Sequence, residues 1–156
     1  MAQSTRATLA LKAAQIPFSV LSYDYDGAAP NIGLHAAAAL GVPASMVFKT
    51  LMLIVDRKAC CAILPSDQTL SMKRVAAALE GKCADMMKPA DAERTTGYKI
   101  GGISPLGQMK RVPIVLDEHA LVLPSIYING GQRGLQILLS PHDLVTIVTK
   151  VAQITA

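Results

Sequence analysis

Apolar residues recur along the chain in short runs that are separated by turn-forming residues. Residues 47 to 55 form the strongest strand pattern, with apolar side chains on both faces. Asp56-Arg57-Lys58 predicts a turn into a partner strand over residues 59 to 64. Gly130-Gly131-Gln132-Arg133-Gly134 predicts a hairpin turn between two later strands. The further predicted strands cover residues 18–23, 112–116, 125–129 and 135–139.

Capping residues and glycine stops predict helices between these strands. Ser4, Asn31, Ser71 and Ser140 are the expected N-caps, and Pro89 opens one more helix. The connecting turns are too short for regular crossovers between parallel strands. The pattern therefore favours one α+β domain over residues 1–156, with a mixed, mostly antiparallel sheet flanked by helices.

Composition excludes two classes of protein. The chain is 51% hydrophobic, whereas disordered chains are apolar-poor and charge-rich. Its longest purely apolar runs are about as long as residues 51–55, and a membrane-spanning helix needs roughly 20 such residues. The start of the chain does not read as a secretory signal. We therefore expect a cytoplasmic protein with no membrane partner.

Cysteine usage and charge narrow the partners further. The three cysteines, Cys60, Cys61 and Cys83, have no C-x-x-C spacing, so we expect no disulfide framework, no metal and no other cofactor. The net charge of +4 permits a polyanionic partner without requiring one, and 4% aromatic content argues against base stacking on rings. The basic residues between Lys73 and Arg111 form either a solvated face or a track for a phosphate backbone.

Lys49 is the first residue that a purely structural account leaves unexplained. On a strand it shares a face with Val47, Leu51 and Leu53, so an ammonium lies in a row of aliphatic side chains. It is either an edge lysine whose head reaches water or a lysine in a cleft that meets an anionic or carbonyl ligand. The residues alone leave both interpretations open.

The segment from Gly101 to Gly107 is the second unusual feature. Its glycines and Pro105 impose a special backbone and allow a ligand to approach main-chain N–H groups. It lacks the spacing of a Walker loop or a dinucleotide fingerprint. Leu106 replaces the second glycine of a nucleophile elbow, which weakens Ser104 as a nucleophile. A plain surface loop is the competing interpretation.

Other titratable residues carry weaker signals. His35, His119 and His142 are scattered beside predicted turns or helix starts, where ordinary surface or cap roles are expected. Asp117 and Glu118 are adjacent in a turn, so we expect both carboxylates to be solvated rather than to share a site. The methionines, Met46, Met52, Met86 and Met87 among them, are expected to fill the core.

Three segments together resemble one family. They are residues 47–51 (VFKTL), residues 96–107 (TGYKIGGISPLG) and residues 130–135 (GGQRGL). In this order and spacing, and over essentially the whole chain, they resemble the YbaK-type aminoacyl-tRNA deacylases. These proteins belong to the superfamily of the editing domain inserted in prolyl-tRNA synthetase.

The resemblance implies a fold and a reaction. The expected fold is a compact α+β domain with a curved, barrel-like mixed sheet, and the expected reaction is hydrolysis of mischarged aminoacyl-tRNA, with Cys-tRNA(Pro) as the first choice of substrate. Lys49 matches the family's essential lysine, Gly101 and Pro105 match the ends of its G-x-x-x-P motif, and Tyr23 matches a tyrosine near the pocket. This chain departs at Gln136, where members of the cysteine-specific kind often carry an aspartate.

An aminoacyl ester is already activated, so its hydrolysis needs positioning and charge stabilisation more than a strong protein nucleophile. On this basis Lys49 and Gly101 are the expected catalytic residues, with main-chain N–H groups at Gly101 and Gly102 holding the developing oxyanion. The nucleophile is water, a ribose hydroxyl or the substrate's own side chain. The expected substrate-binding residues are Tyr23, Thr50, Gly102, Ser104, Pro105, Gly131, Arg133 and Gln136.

By resemblance, the partners are the acylated 3′ end of a tRNA and prolyl-tRNA synthetase. An alternative from a different class stays open. The chain is then a non-catalytic module of the same fold that binds aminoacyl-tRNA or a nucleotide-like ligand. Lys49 and the intact glycine segment favour the hydrolase, whereas Gln136 slightly favours the binding module.

Overall fold

A computed structural model describes residues 4–28 and 31–156. The helices within these ranges are α1 (Arg6–Ala13), α2 (Ile32–Leu40), α3 (Met72–Ala78), α4 (Pro89–Thr96) and α5 (Pro141–Val145). The strands are β1 (Ser19–Ser22), β2 (Phe48–Val55), β3 (Lys58–Pro65), β4 (Ala84–Met86), β5 (Ile114–Asp117), β6 (Ile126–Asn129), β7 (Leu135–Leu139) and β8 (Lys150–Ala152). None of the helices in the described ranges combines the length and apolar character that a bilayer crossing requires.

Local capping chemistry explains most helix boundaries. Asn31 and Ser71 each accept a hydrogen bond from a backbone N–H three residues ahead, as expected of N-caps. The prediction of Ser4 as the first cap is wrong, because Thr5 forms a reciprocal capping box with Thr8. The Thr5 hydroxyl also donates to the carbonyl of Gly130 at 2.6 Å, which ties the start of α1 to the β6–β7 hairpin.

The strands form two sheets. One is antiparallel in the order β1-β7-β6, and the other has the order β4-β2-β3-β5-β8. In the larger sheet β2 pairs antiparallel with β3 and β4, while β5 runs parallel to β3 and β8. This confirms the α+β fold with a mixed, mostly antiparallel arrangement. A bridge between Val47 and Tyr127 joins the two sheets, and the described residues show no closure into a barrel.

Two hydrophobic clusters pack against the two faces of β2. Phe48 packs on one side of the strand with Ile63, Ile128 and Ile137, all of them at most 1% exposed. Leu53, further along β2, packs into a second cluster that α3 covers. A strand with apolar contacts on both faces is held firmly, so the side chains of its middle residues have defined positions.

Asp117 corrects an expectation from the sequence. Its carboxylate is fully buried, not solvated, while Glu118 is exposed. The carboxylate accepts hydrogen bonds from the backbone N–H groups of Ile154 at 3.0 Å and His119 at 3.1 Å, and it contacts the His119 ring. Because β8 pairs with β5, the chain beyond it brings Ile154 to this carboxylate. Such a long-range donor leaves no signal in the local sequence.

We expect Asp117→Ala to destabilise the fold by about 1–3 kcal/mol, because the buried N–H of Ile154 loses its acceptor. Asp85→Ala is the matched control, since Asp85 is an exposed carboxylate on β4. Urea unfolding of both variants measures the difference. Equal midpoints for the two variants would show that the buried carboxylate does not anchor the C-terminal segment.

Candidate functional site

A cavity of about 410 Å³ opens beside β2, a volume typical of small-molecule sites. It lies between the N-terminus of α2, the β4–α4 connection, the glycine segment and the ends of β6 and β7. Of the residues predicted from the sequence, it brings together Lys49, Thr50, Gly101 and Gln136. The other lining residues are Asn31, Ile32, Gly33, Val47, Phe48, Leu51, Met52, Met86, Met87, Pro89, Ala92, Ile100, Ile103 and Asn129.

The pairing of β2 explains where the cavity opens. One edge of β2 pairs with β3 along its whole length. On the other edge, Val47 bridges to Tyr127 and residues 53–55 pair with β4. Between these contacts β2 has a strand neighbour on one side only, within the described part of the chain. The gap between the two sheets is the cavity, and residues 49–52 of β2 form part of its wall.

Lys49 lies in this wall, half-buried, rather than at an outer edge of the sheet. Burial lowers the pKa of its ammonium, and the negative charge of Asp67 opposes that effect. The position favours the cleft interpretation of Lys49 over an edge lysine that merely reaches water. A charge held in a partly desolvated cavity interacts strongly with a carbonyl or phosphate that enters it.

Two residues of the cavity lining, Thr50 and Gln136, carry buried polar atoms without hydrogen-bond partners, and we call this part of the lining the inner wall. Thr50 Oγ1 and Gln136 Oε1 are buried and have no hydrogen-bond partner among the described residues. Tyr23, which the sequence predicted to bind substrate, lies outside the cavity lining, and its hydroxyl is also buried without a partner among the described residues. Burial raises the Tyr23 pKa, and the nearby Gln136 side chain opposes the rise. Buried polar atoms without partners are costly, so these positions suit a ligand that donates hydrogen bonds.

The glycine segment packs tightly against the β6–β7 hairpin. Gly101 has φ +88°, a conformation that L side chains rarely adopt, and a Cβ there would collide with Tyr25 Oη. A Cβ on Gly102 would lie 2.8 Å from the backbone nitrogen of Arg133, too close for any side chain. Asn129 Nδ2 donates to the Gly101 carbonyl at 3.1 Å. The backbone at Gly101 is thus fixed at the cavity wall.

The two glycines differ in what their N–H groups can do. The Gly102 N–H donates to the carbonyl of Lys99 at 2.8 Å and closes a turn. It is therefore engaged in the loop, contrary to the expectation that it binds an oxyanion. Gly101 lines the cavity, so its N–H is better placed than that of Gly102 to donate a hydrogen bond to a bound group.

Arg133 and Gly131 support the site from outside the cavity lining. Arg133 Nε donates to the Ile100 carbonyl at 2.8 Å, and its guanidinium lies 5.5 Å from the centre of the Tyr25 ring. The Gly131 N–H donates to Asn129 Oδ1 at 2.8 Å, which orients the amide that holds Gly101. Both residues hold the glycine segment in place.

Ser104 and Pro105 also lie outside the cavity lining, and both are buried. The Ser104 hydroxyl accepts a hydrogen bond from the Leu106 N–H at 3.2 Å, and its carbonyl accepts one from Gln108 at 3.0 Å. These contacts build the turn that follows the glycines. They fit the weak case for Ser104 as a nucleophile.

Several lining residues were not predicted from the sequence. Asn129 ends a buried strand directly before two glycines, and a polar residue in that position is a signal that could have been used. Ile100 and Met86 gave no such signal, because exposed apolar residues look like core residues in a sequence. Met86 was expected to fill the core and is instead 49% exposed. No group of three or more metal-ligating side chains occurs within residues 4–28 and 31–156.

Comparison with known proteins identifies relatives of this chain. A family model described as "Aminoacyl-tRNA editing domain" matches residues 32–147. A relative from Enterococcus faecalis named "Putative Cys-tRNA(Pro)/Cys-tRNA(Cys) deacylase EbsC" is 31% identical over 156 residues, which cover 98% of this chain and 94% of the relative. A proline–tRNA ligase from Acidithiobacillus ferrooxidans is 31% identical over 82 residues, 53% of this chain but only 14% of the ligase.

Solved structures share the fold. One, described as "a putative trans-editing enzyme for prolyl tRNA synthetase", is 22% identical with a TM-score of 0.81, and 99% of each chain is covered. The crystal structure of a hypothetical protein gives a TM-score of 0.86 at 24% identity, covering 97% of this chain and 100% of that one. The resemblance drawn from the three sequence segments is confirmed.

We expect Gly102→Ala to destabilise the protein by about 1–3 kcal/mol, because its Cβ meets the backbone of the hairpin rather than a movable side chain. Gly27→Ala is the matched control, since a Cβ there meets only the Tyr25 ring at an ordinary 3.6 Å. Thermal unfolding of both variants provides the comparison. Equal melting temperatures would contradict the tight packing of the segment on the hairpin.

Proposed function

The chain belongs to the aminoacyl-tRNA editing domain family, and we propose that it is a trans-editing hydrolase that removes cysteine from Cys-tRNA(Pro). The observation that supports this best is the cavity itself. Lys49 and the fixed Gly101 backbone both line it. The name of the Enterococcus faecalis relative, which covers nearly the whole chain, supports the choice of substrate.

In the proposed mechanism the enzyme stabilises charge and supplies no nucleophile of its own. Among the described residues, the lining contains no cysteine, histidine or carboxylate, so the proposed attacking atom comes from water or from the substrate. With water as the nucleophile, its oxygen bonds to the ester carbonyl carbon, the bond to the ribose oxygen breaks, and the ribose oxygen takes up the proton that the water loses. With the cysteine thiol as the nucleophile, the same bond breaks, the thiol proton passes to the ribose oxygen, and water then hydrolyses the released cyclic thioester. Lys49 and the Gly101 N–H stabilise the negative charge that develops on the carbonyl oxygen or on the adjoining ribose-phosphate region.

The unpaired atoms of the inner wall suit the amino-acid end of the substrate. Thr50 Oγ1 and Gln136 Oε1 can both accept hydrogen bonds from a primary α-amine, which in its neutral form carries two N–H donors. Proline has one N–H fewer on its α-nitrogen, and its ring occupies that position. A prolyl ester therefore leaves one acceptor unpaired, which is a strong basis for rejecting it.

Lys49→Met tests the catalytic role of the lysine. We expect the deacylation rate on Cys-tRNA(Pro) to fall about a hundredfold or more, as on loss of an oxyanion donor. The same variant should melt at a higher temperature, because burial disfavours the charged form of Lys49 and methionine carries no charge. A simultaneous gain in stability would show that the activity is not lost through unfolding.

Lys58→Met is the matched control, since Lys58 is an exposed lysine on β3 outside this cavity. It should leave the rate unchanged. A folded Lys49→Met variant with a near-wild-type rate would overturn the mechanism.

A panel of esters on tRNA(Pro) tests the substrate. We expect cysteinyl esters to be hydrolysed fastest, alanyl and seryl esters more slowly, and prolyl esters least, because the prolyl α-amine has a single N–H for the two acceptors. Thr50→Val, which removes one acceptor at nearly constant volume, should reduce the discrimination against prolyl esters. Equal rates for prolyl and cysteinyl esters in the wild type would contradict the assignment of the inner wall.

The panel is run with protein well below the tRNA concentration, which also tests the binding-module alternative. Multiple turnover supports the hydrolase, whereas saturable binding without turnover would replace it with the binding module.

We propose that prolyl-tRNA synthetase is the partner and the cytoplasm the location. A domain of 156 residues has little surface for reading the body of a tRNA, so adding the synthetase should sharpen selection of tRNA(Pro).

A further inference from the structure

Two exposed apolar side chains lie in the wall of the cavity. Met86 is 49% exposed and Ile100 is 39% exposed. Among the large hydrophobic residues that are exposed in the described part of the chain, only these two line the cavity. Apolar side chains exposed at a binding site are a frequent mark of ligand contact.

The backbones of both residues are held by hydrogen bonds or strand pairing, so the exposed side chains start from defined positions. The Ile100 N–H donates to Glu93 Oε2 at 2.9 Å, and its carbonyl accepts from Arg133 Nε at 2.8 Å. Met86 lies in β4 and pairs with Leu53 of β2. Fixed apolar surfaces bind a flat ligand at low entropic cost.

The lining of the cavity changes from exposed and apolar at Met86 and Ile100 to buried and polar at Gln136. Gln136 is buried and carries an unpaired acceptor, as Thr50 does, whereas Met86 and Ile100 are exposed and apolar. Under the proposed function, the aminoacyl group enters toward the unpaired acceptors. The next part of the substrate is the ribose, and the base attached to it then reaches the exposed part of the wall.

We propose that Met86 and Ile100 form an apolar slot that holds the purine base at the 3′ end of the tRNA. This inference rests on the proposed function, which puts a tRNA end in the cavity. A methionine sulfur makes favourable contacts with an aromatic ring, and a branched aliphatic side chain covers the ring face. Phe48, the one aromatic residue in the described lining, is 1% exposed and is packed into the core, so it offers no face for stacking.

Charges beside the slot fit a nucleotide. Lys99 directly precedes Ile100, and Lys88 follows Met86 by two positions, and both lysines are exposed. They suit the phosphates next to the terminal base, which are the groups that a basic side chain of an RNA-binding protein contacts. The slot thus takes over the role that stacking rings play in other single-strand binders.

The test measures binding of adenosine 5′-monophosphate and cytidine 5′-monophosphate to the full chain by chemical-shift titration. We expect AMP to bind at least about threefold tighter than CMP, because the larger ring system covers more of the apolar slot. Met86→Thr and Ile100→Thr should each weaken AMP binding by about threefold or more. Val122→Thr is the matched control and should change nothing, since Val122 is 83% exposed and lies outside the cavity.

Equal affinities for AMP and CMP, no saturable binding, or unchanged AMP binding in both threonine variants would overturn the slot. Thermal unfolding of the variants confirms that they fold. The binding measurement needs no turnover, so an inactive protein that still prefers AMP contradicts the hydrolase and keeps the slot. An active hydrolase without this preference contradicts the slot alone.

Discussion

The close approach of the glycine segment to the β6–β7 hairpin is the constraint on which the site depends. Gly102 leaves no room for a Cβ against the backbone of Arg133, and the Gly101 carbonyl is held by Asn129. These contacts decide where the Gly101 backbone faces the cavity. A main-chain donor has no rotamers to restrict, so its position is as accurate as the packing that surrounds it. Arg133 therefore contributes to the site without lining it.

Lys49 illustrates the opposing demands of folding and chemistry. A half-buried ammonium in a wall of apolar residues is unfavourable for the folded state, as its lowered pKa indicates. Within the proposed mechanism, the same desolvation strengthens its interaction with a developing negative charge. The two-sided packing of β2 holds this lysine in a position that its own solvation disfavours. Local violations of the usual rules are expected at functional sites for this reason.

Local signals in the sequence were sufficient for much of the fold. Asn31 and Ser71 cap helices because their side chains reach the nearest free N–H groups, a property of a few consecutive residues. The short strands β4 and β8 were not predicted, since three residues show no clear alternation and pair only because a neighbouring strand is available. The burial of Asp117 depends on Ile154, far along the chain, and could not be inferred locally.

In the candidate site, too, local sequence predicted some features, and others depend on contacts between distant residues. Lys49 and Gly101 were identified as unusual because each breaks a local pattern, and both line the cavity. Arg133 was expected to bind substrate, but the direction of its side chain depends on where the carbonyl of Ile100 lies. The exposure of Ile100 itself depends on how the loop packs, which no local pattern encodes. Sequence therefore identifies the unusual residues, and tertiary packing decides which of them face the cavity.

In a site that supplies no nucleophile of its own, specificity must come from how the substrate is bound. The proposed reaction proceeds wherever an activated ester is held against Lys49 and the Gly101 backbone, so selectivity must come from what the walls accept. Thr50 and Gln136 offer neutral acceptors, and their unpaired state in the folded protein costs free energy that a matching substrate recovers. An ester that lacks the donors recovers less of it and is held less well. Discrimination against the correct amino acid then arises from unsatisfied hydrogen bonds, with no need for the cavity to measure size.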